Sequence, residues 1–217
     1  AWHGLKDLAN ISEGETVLIL GASGGVGMAA IDISKALGAE VIACASTDAK
    51  LDKCRQAGAD QLINYSNGNF KSQLKEEGLY GNIDIVFDPV GGDLSEVCIR
   101  ALGFGGRFIV IGFASGGAAP KNAIPRIPLN LALLNERQII GCFWGAWKMR
   151  DGGVANRANM EEMMSLVSSG RLRPLVDKVF SLDNFMSALD QLMHRKAIGK
   201  IVVKVRDKLF AKIEYSL

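Results

Sequence analysis

The stretch that most restricts what this chain can fold into runs from Thr16 to Ser46. It opens Thr-Val-Leu-Ile-Leu-Gly-Ala-Ser-Gly-Gly-Val-Gly. Thr16 to Leu20 is a short, continuous apolar run rich in branched residues, the pattern of a strand buried on both faces. Gly21 to Gly27 then puts four glycines into seven residues. From Met28 to Leu37 the spacing becomes helical, with Ala29, Ala30, Ile33, Ala36 and Leu37 on one face. A second strand follows from Val41 to Ala45. Strand, glycine turn, helix and strand form a βαβ unit suited to a nucleotide. Its helix N-terminus offers unpaired N–H groups and a positive dipole end, and glycines let a diphosphate approach that backbone closely.

The glycine pattern departs from Gly-x-Gly-x-x-Gly, which requires glycine where Ala22 stands. It reads Ala22-Ser23-Gly24-Gly25-Val26-Gly27, and Ser23 adds a hydroxyl able to donate to a phosphate oxygen. A glycine-rich match alone also describes a tight turn that packs a helix on a strand. Here the strand, turn, helix and second strand all fall at the right spacing, which favours a ligand. A P-loop is disfavoured, because no Gly-Lys-Ser/Thr follows the turn. A methyltransferase loop relies on a carboxylate after the second strand, and none stands there. A dinucleotide is the preferred ligand.

The chain has 217 residues, 48% hydrophobic and 22% charged, with a net charge of +2. That is ample for one substantial domain and argues against a nucleic-acid surface. No apolar run reaches the roughly 18 residues of a membrane span. Cys44, Cys54, Cys98 and Cys142 are widely spaced, with no pair at metal-ligand spacing. Buried reduced thiols, a reducing compartment such as the cytoplasm and the absence of a metal site are the expectations. The first residue is Ala1 and the opening already reads as a helix, so the chain is expected to be a piece of a longer protein.

Taken in order, Trp2 to Leu8 reads as a short helix. After the βαβ unit, Ser46-Thr47-Asp48 opens a helix with a capping residue and an acid in its first turn. Strands are expected at Gln61–Asn64, Ile83–Phe87, Arg107–Ile111 and Gln138–Phe143. Helices are expected at 70–79, 94–102 and 155–169. This alternation specifies a parallel, doubly wound α/β sheet. Gly112 to Asn130 is too long for a mere connection and is a candidate lid. Val176–Phe180 and Lys200–Val205 are strand-like with an amphipathic helix between them. They break the alternation, as expected where the chain returns into a neighbouring domain.

The run Gly-Glu-Thr-Val-Leu-Ile-Leu-Gly-Ala-Ser-Gly-Gly-Val-Gly is followed by Lys-Ala-Leu-Gly-Ala, Ala-Gly-Ala-Asp and Val-Phe-Asp-Pro-Val-Gly-Gly. Further on come Gly-Gly-Arg-Phe-Ile-Val-Ile-Gly-Phe-Ala and a closing Gly-Lys-Ile-Val-Val. In order and spacing these motifs resemble the medium-chain dehydrogenase/reductases, and within them the zinc-free quinone oxidoreductases, over residues 1–205. The resemblance implies a six-stranded Rossmann sheet in the order 3-2-1-4-5-6 across residues 1–171. Residues 172–217 would then be the C-terminal segment of a catalytic domain whose larger part precedes this chain.

The resemblance further implies that Ser23, Gly24, Gly25 and Val26 hold the diphosphate of NADPH. Ser46, Lys50 and Tyr65 would gather around the adenosine ribose and its 2′-phosphate, and Val90 would lie near the nicotinamide ribose. Val110, Ile111, Gly112 and Phe113 would line the nicotinamide together with Cys142, Phe143 and Trp144. Each residue also has a plainer reading: Ser46 as a helix cap, Lys50 as a solvated lysine, Tyr65 and Trp144 as packing residues. Asp88 reads as the residue that fixes the turn before Pro89 rather than as a catalytic acid. His3 and His194 fall outside the motifs and receive no role.

NADPH is expected over NADH from the residues themselves. A carboxylate at the end of the second strand would bind the ribose hydroxyls and repel a 2′-phosphate, and Ala45-Ser46-Thr47 supplies none. The implied activity is zinc-independent hydride transfer to a quinone or similar electron-poor acceptor. An enoyl or alkenal reductase and a non-catalytic NADPH-binding protein are the alternatives. A homodimer through the last sheet strand is expected, with no nucleic-acid or membrane partner and no nameable catalytic acid.

Overall fold

A computed structural model describes residues 1–116, 124–194 and 196–205. A wide-turned (π) helical segment, His3–Leu8, leads into β1, Thr16–Leu20. Then follow α1 (Gly25–Ala36), β2 (Glu40–Ala45), α2 (Asp48–Gln56), β3 (Gln61–Asn64), α3 (Phe70–Glu76) and β4 (Ile83–Asp88). Next come α4 (Asp93–Ala101), β5 (Leu102–Val110), the single turn α5 (Asn130–Leu133), β6 (Gln138–Gly141), the short α6 (Trp144–Trp147) and α7 (Val154–Ser168). The chain closes with β7 (Val176–Ser181), α8 (Phe185–Met193) and β8 (Lys200–Lys204).

β1 to β6 form one parallel sheet in the order β3-β2-β1-β4-β5-β6. This is the expected doubly wound Rossmann topology. Because side chains alternate along a strand, each central strand feeds two cores. Val17, Ile19, Ala43, Ile85, Phe87 and Ile109 face Trp2, Leu5, α1 and α7. Leu18, Leu20, Ile42, Val86 and Phe108 face α3 and α4 through Phe70, Leu74, Cys98 and Ile99. All four cysteines are free thiols, three of them buried. Burial pushes the thiols of Cys44, Cys54 and Cys98 up, that of Cys54 to about 11. Among the described residues no helix is long and apolar enough to cross a membrane.

Several boundaries differ from the sequence reading, each for a local reason. α1 begins at Gly25 rather than Met28, so Gly25 and Gly27 are helical residues and not turn residues. β5 begins at Leu102, five residues before the expected start at Arg107. The added residues include Gly103, Gly105 and Gly106, and the ladder to β4 is irregular between Ile83 and Ile85. β6 stops at Gly141, so Cys142 and Phe143 lie beyond the strand. Thr47, not Ser46, caps α2, its side chain accepting from the Lys50 N–H. Of the candidate lid, residues 117–123 lie outside the described residues.

β7 and β8 are both present, and they pair with each other in a separate two-stranded sheet. Apolar surface is bare on it and on the helix between its strands: Val179 of β7 is 61% and Met186 of α8 72% exposed. The buried strands make a direct test possible. Leu18 is fully buried, whereas Phe104 is 75% exposed. Leu18→Ala should cost about 2–5 kcal/mol in urea unfolding, and Phe104→Ala about 0.5 kcal/mol or less. Equal effects would contradict this placement of the core.

Candidate nucleotide site

The candidate residues come from different strands but meet at one rim, where β1, β2, β4 and β5 end. The strand order reverses between β1 and β4, and in open α/β sheets ligands bind at that switch point. Gly21, with φ +57°, turns the chain out of β1. A Cβ on Gly27 would stand 2.5 Å from the Gly21 carbonyl oxygen and 2.6 Å from Ala22 Cα. This glycine therefore lets α1 pack its first turn directly on the end of β1.

α1 has Gly24 as its N-cap and no side-chain cap. The first intrahelical bond is Met28 N–H to Gly24 O, 2.8 Å. The first-turn N–H groups of Gly25, Val26 and Gly27 thus lack intrahelical acceptors and stand at the positive end of a twelve-residue helix. The Ser23 side chain is buried against this turn, and Val26 is 41% exposed. These features fit a diphosphate.

At the end of β2, Ser46 and Lys50 are half-buried, as is Tyr65 beyond β3. The Tyr65 N–H bonds the Ala45 carbonyl at 3.1 Å, which draws the two strand ends together. The nearest acid along the chain, Asp48, accepts from Asn64 Nδ2 at 2.7 Å. Its charge is engaged by the neighbouring strand. Among the described residues the Lys50 ammonium has no ion-pair partner.

Asp88 organises the third side. It is 2% exposed; Oδ1 accepts from the Val90 and Gly91 N–H groups at 2.7 and 2.8 Å, and Oδ2 from Ser95 Oγ at 2.6 Å. The sequence reading of this residue as a turn-fixer holds. The turn carries Val90 against Gly21, where an added Cβ would lie 2.8 Å from Val90 Cγ2. Ile111 and Gly112 bond the Asp88 carbonyl, and Cys142 N–H bonds the Val110 carbonyl at 2.9 Å. Val110, Ile111, Gly112 and Cys142 are thereby held as one wall, and burial raises the Cys142 thiol. Phe113 and Trp144 are 40% and 47% exposed, and Phe143 points outward at 77%.

Two features were not visible in the sequence. His3 is 6% exposed, bonds Asp7 through Nδ1 at 2.7 Å and stacks on Trp147 at 3.8 Å. It borders a cavity of about 280 Å3 with Trp2, Trp144, Asn156 and Met160. Only an i, i+4 His–Asp spacing hinted at the pair. The second feature is that Gly199 bridges to Gly24, its N–H bonding the Ser23 carbonyl at 2.8 Å. The return segment thus touches the glycine turn.

Strand order, uncapped helix and switch-point rim together define a Rossmann-type nucleotide-binding domain. The chain belongs to the zinc-binding dehydrogenase family, which it matches over residues 25–169, and forms the C-terminal, nucleotide-binding part of a medium-chain dehydrogenase/reductase. It is 33% identical over 203 residues to quinone oxidoreductase-like protein 2 of Bos taurus, covering 93% of this chain and 56% of that protein. It is 31% identical to prostaglandin reductase-3 of Mus musculus, covering 98% and 58%. The crystal structure of CurA from Vibrio vulnificus in complex with NADPH superposes with a TM-score of 0.78 at 25% identity, over 94% of this chain and 61% of that one. The chain thus spans little more than half the length of these relatives. Among the described residues no three His, Cys, Asp or Glu side chains come together as a metal site.

Asp88→Ala would strand two backbone donors and a serine hydroxyl. It should cost about 2–4 kcal/mol in denaturant unfolding and weaken NADPH binding together with it. Asp88→Asn, which keeps one acceptor, should lose less. An Asp88→Ala protein of unchanged stability would contradict the role given to this carboxylate.

Proposed function

We propose that this chain is the nucleotide-binding half of an NADPH-dependent reductase acting on a quinone or a similar electron-poor acceptor. The observation that carries the reading is the pairing of an uncapped α1 N-terminus with a β2 end that lacks a carboxylate and presents Lys50. Bound NADPH would supply the hydride. The chain's own residues would position it: Ser23 to Val26 at the diphosphate, Ser46, Lys50 and Tyr65 at the 2′-phosphate, and Val90 at the nicotinamide ribose. Val110 to Phe113 and Cys142 to Trp144 would flank the ring, exclude water and hold its reactive face toward the second domain. Residues from 172 onward are taken as belonging to that domain. Four free thiols agree with a reducing compartment, the cytoplasm.

The likeness to prostaglandin reductase-3 favours a second reading, an enoyl or alkenal reductase. A non-catalytic NADPH-binding protein is the third. Following NADPH consumption by the full-length protein with quinones and with enones separates them. The reductase reading expects turnover with at least one class; binding without turnover of either supports the third. The present chain alone should bind NADPH and turn over essentially nothing, so steady oxidation at enzymatic rates by residues 1–217 would contradict the division of labour.

The cofactor choice has its own test. Hydrogen bonds to charged groups contribute roughly 1.5–3 kcal/mol, and exposure and salt push toward the lower end. Lys50→Ala should therefore weaken NADPH roughly tenfold and leave NADH nearly unchanged. Titration of both cofactors decides it, and an unchanged ratio would show that the pocket is wrongly placed.

We also infer a homodimer by addition of β6 to its copy. β6 is the outermost strand of the sheet, and Ile139, Leu133 and Leu134 on and before it are 41%, 77% and 67% exposed. An unpaired apolar edge of this kind requires a cover. Sedimentation at tens of micromolar should give a dimer; a monomer would refute the arrangement.

A further inference from the structure

The helical segment at the start of the chain supports the wall proposed to flank the nicotinamide, and it does so at two points. Its Gly4 lies against Ile111 and Cys142: a Cβ there would stand 3.2 Å from Ile111 Cδ1 and 3.5 Å from Cys142 Sγ. One residue earlier, the His3 ring stacks on Trp147 with centroids 3.8 Å apart and planes inclined by 22°. Trp147 closes α6, a single turn none of whose residues is buried. A turn this short has no stability of its own, so contacts made by its side chains set its position. Trp144, at its other end, reaches α7 through Nε1, which donates to Asn156 Oδ1 at 3.3 Å. α6 is thus held between α7 and the His3 ring.

His3 is suited to this task by its face and by its edge. Asp7 Oδ2 lies 2.7 Å from His3 Nδ1 and accepts from Asn159 Nδ2, also at 2.7 Å. An ionised carboxylate only accepts, so Nδ1 carries the proton and this bond fixes the plane of the ring. Asn159 belongs to α7, so the same carboxylate ties the ring to the helix that holds Trp144. A phenyl ring here would keep the stack and lose the anchor; a glutamine would keep a donor and lose the face. We infer that His3 is a positioning residue for the nicotinamide: clamped by Asp7 and stacked on Trp147, it sets where α6 places Trp144. This rests on the dinucleotide reading above and adds to it a residue that lies before the Rossmann sheet and outside its motifs.

The test titrates this chain with NADPH and with adenosine 2′,5′-bisphosphate, which keeps the 2′-phosphate and lacks the nicotinamide. His3→Ala should weaken NADPH about threefold to tenfold, the contribution of one aromatic stack, and leave the bisphosphate unchanged. Trp147→Ala removes the same stack from the α6 side, where Trp147 is half-buried. It should have the same effect, and it decides the matter if His3→Ala does not fold. The chain's three tryptophans are followed separately by fluorine NMR of the 5-fluorotryptophan-labelled protein. NADPH should move the Trp144 resonance of the wild type, and the alanine variants should displace that resonance before NADPH is added. Unchanged NADPH affinity in the alanine variants, or a Trp144 resonance that they or NADPH leave in place, overturns the inference while the dinucleotide reading stands. Equal loss of both ligands would mean a general loosening of the domain and overturns it too. Failure of both ligands to bind the wild type overturns the dinucleotide reading and this inference with it.

Discussion

Everything at the rim depends on how closely α1 approaches β1. The contact is backbone against backbone: no Cβ fits on Gly27, because the Gly21 carbonyl and Ala22 Cα occupy its place. That closeness aims the helix axis, and so its positive end, at the switch point between β1 and β4. A larger residue would push the helix outward and move the open N–H groups away from any ligand lying along the sheet ends. The two cores beneath serve this geometry. Leu18 and Ile19 point to opposite faces of β1 and are both fully buried, which holds the strand in place under the helix.

Asp88 repeats the logic one strand over with hydrogen bonds instead of close contact. A buried carboxylate is costly unless its oxygens are satisfied, and here three donors satisfy it. The turn it fixes brings Val90 against Gly21 and joins the β4 end to the wall formed by Ile111 and Cys142. The site is thus a set of strand ends, each locked to the next. Its outer side is different in character. Trp144, Phe143 and the β7–β8 unit present exposed apolar surface, the condition expected of a face completed by another part of the protein.

The legible part of this structure was the part dictated by local pattern. Thr16–Leu20 and Gln61–Asn64 have the bounds that the sequence indicates, and Glu40–Ala45 differs by one residue. Apolar runs bounded by turn residues leave little choice there. Glycine misled in both directions. Gly25 and Gly27 read as a turn but form a helix start, because what they accommodate is a neighbouring strand and the return segment, both invisible locally. Gly103 to Gly106 precede the strand start expected at Arg107 but belong to β5. The capping role went to Thr47 instead of Ser46, a one-residue shift that no propensity distinguishes. His3 is buried beside Asp7, and the Gly24–Gly199 bridge is formed, through tertiary packing that no periodicity announces.

We propose that the α1 N-terminus and the corner at the β2 end are two parts of one NADPH site. Backbone amide NMR during NADPH titration tests it most directly, because it reports each position separately and needs no turnover. Saturable shifts should be largest at Gly24, Gly25 and Val26, with a second group at Ser46 to Lys50 and at Tyr65, all following one binding curve. Shifts confined to other faces of the domain would contradict the claim, as would two groups that saturate at different concentrations.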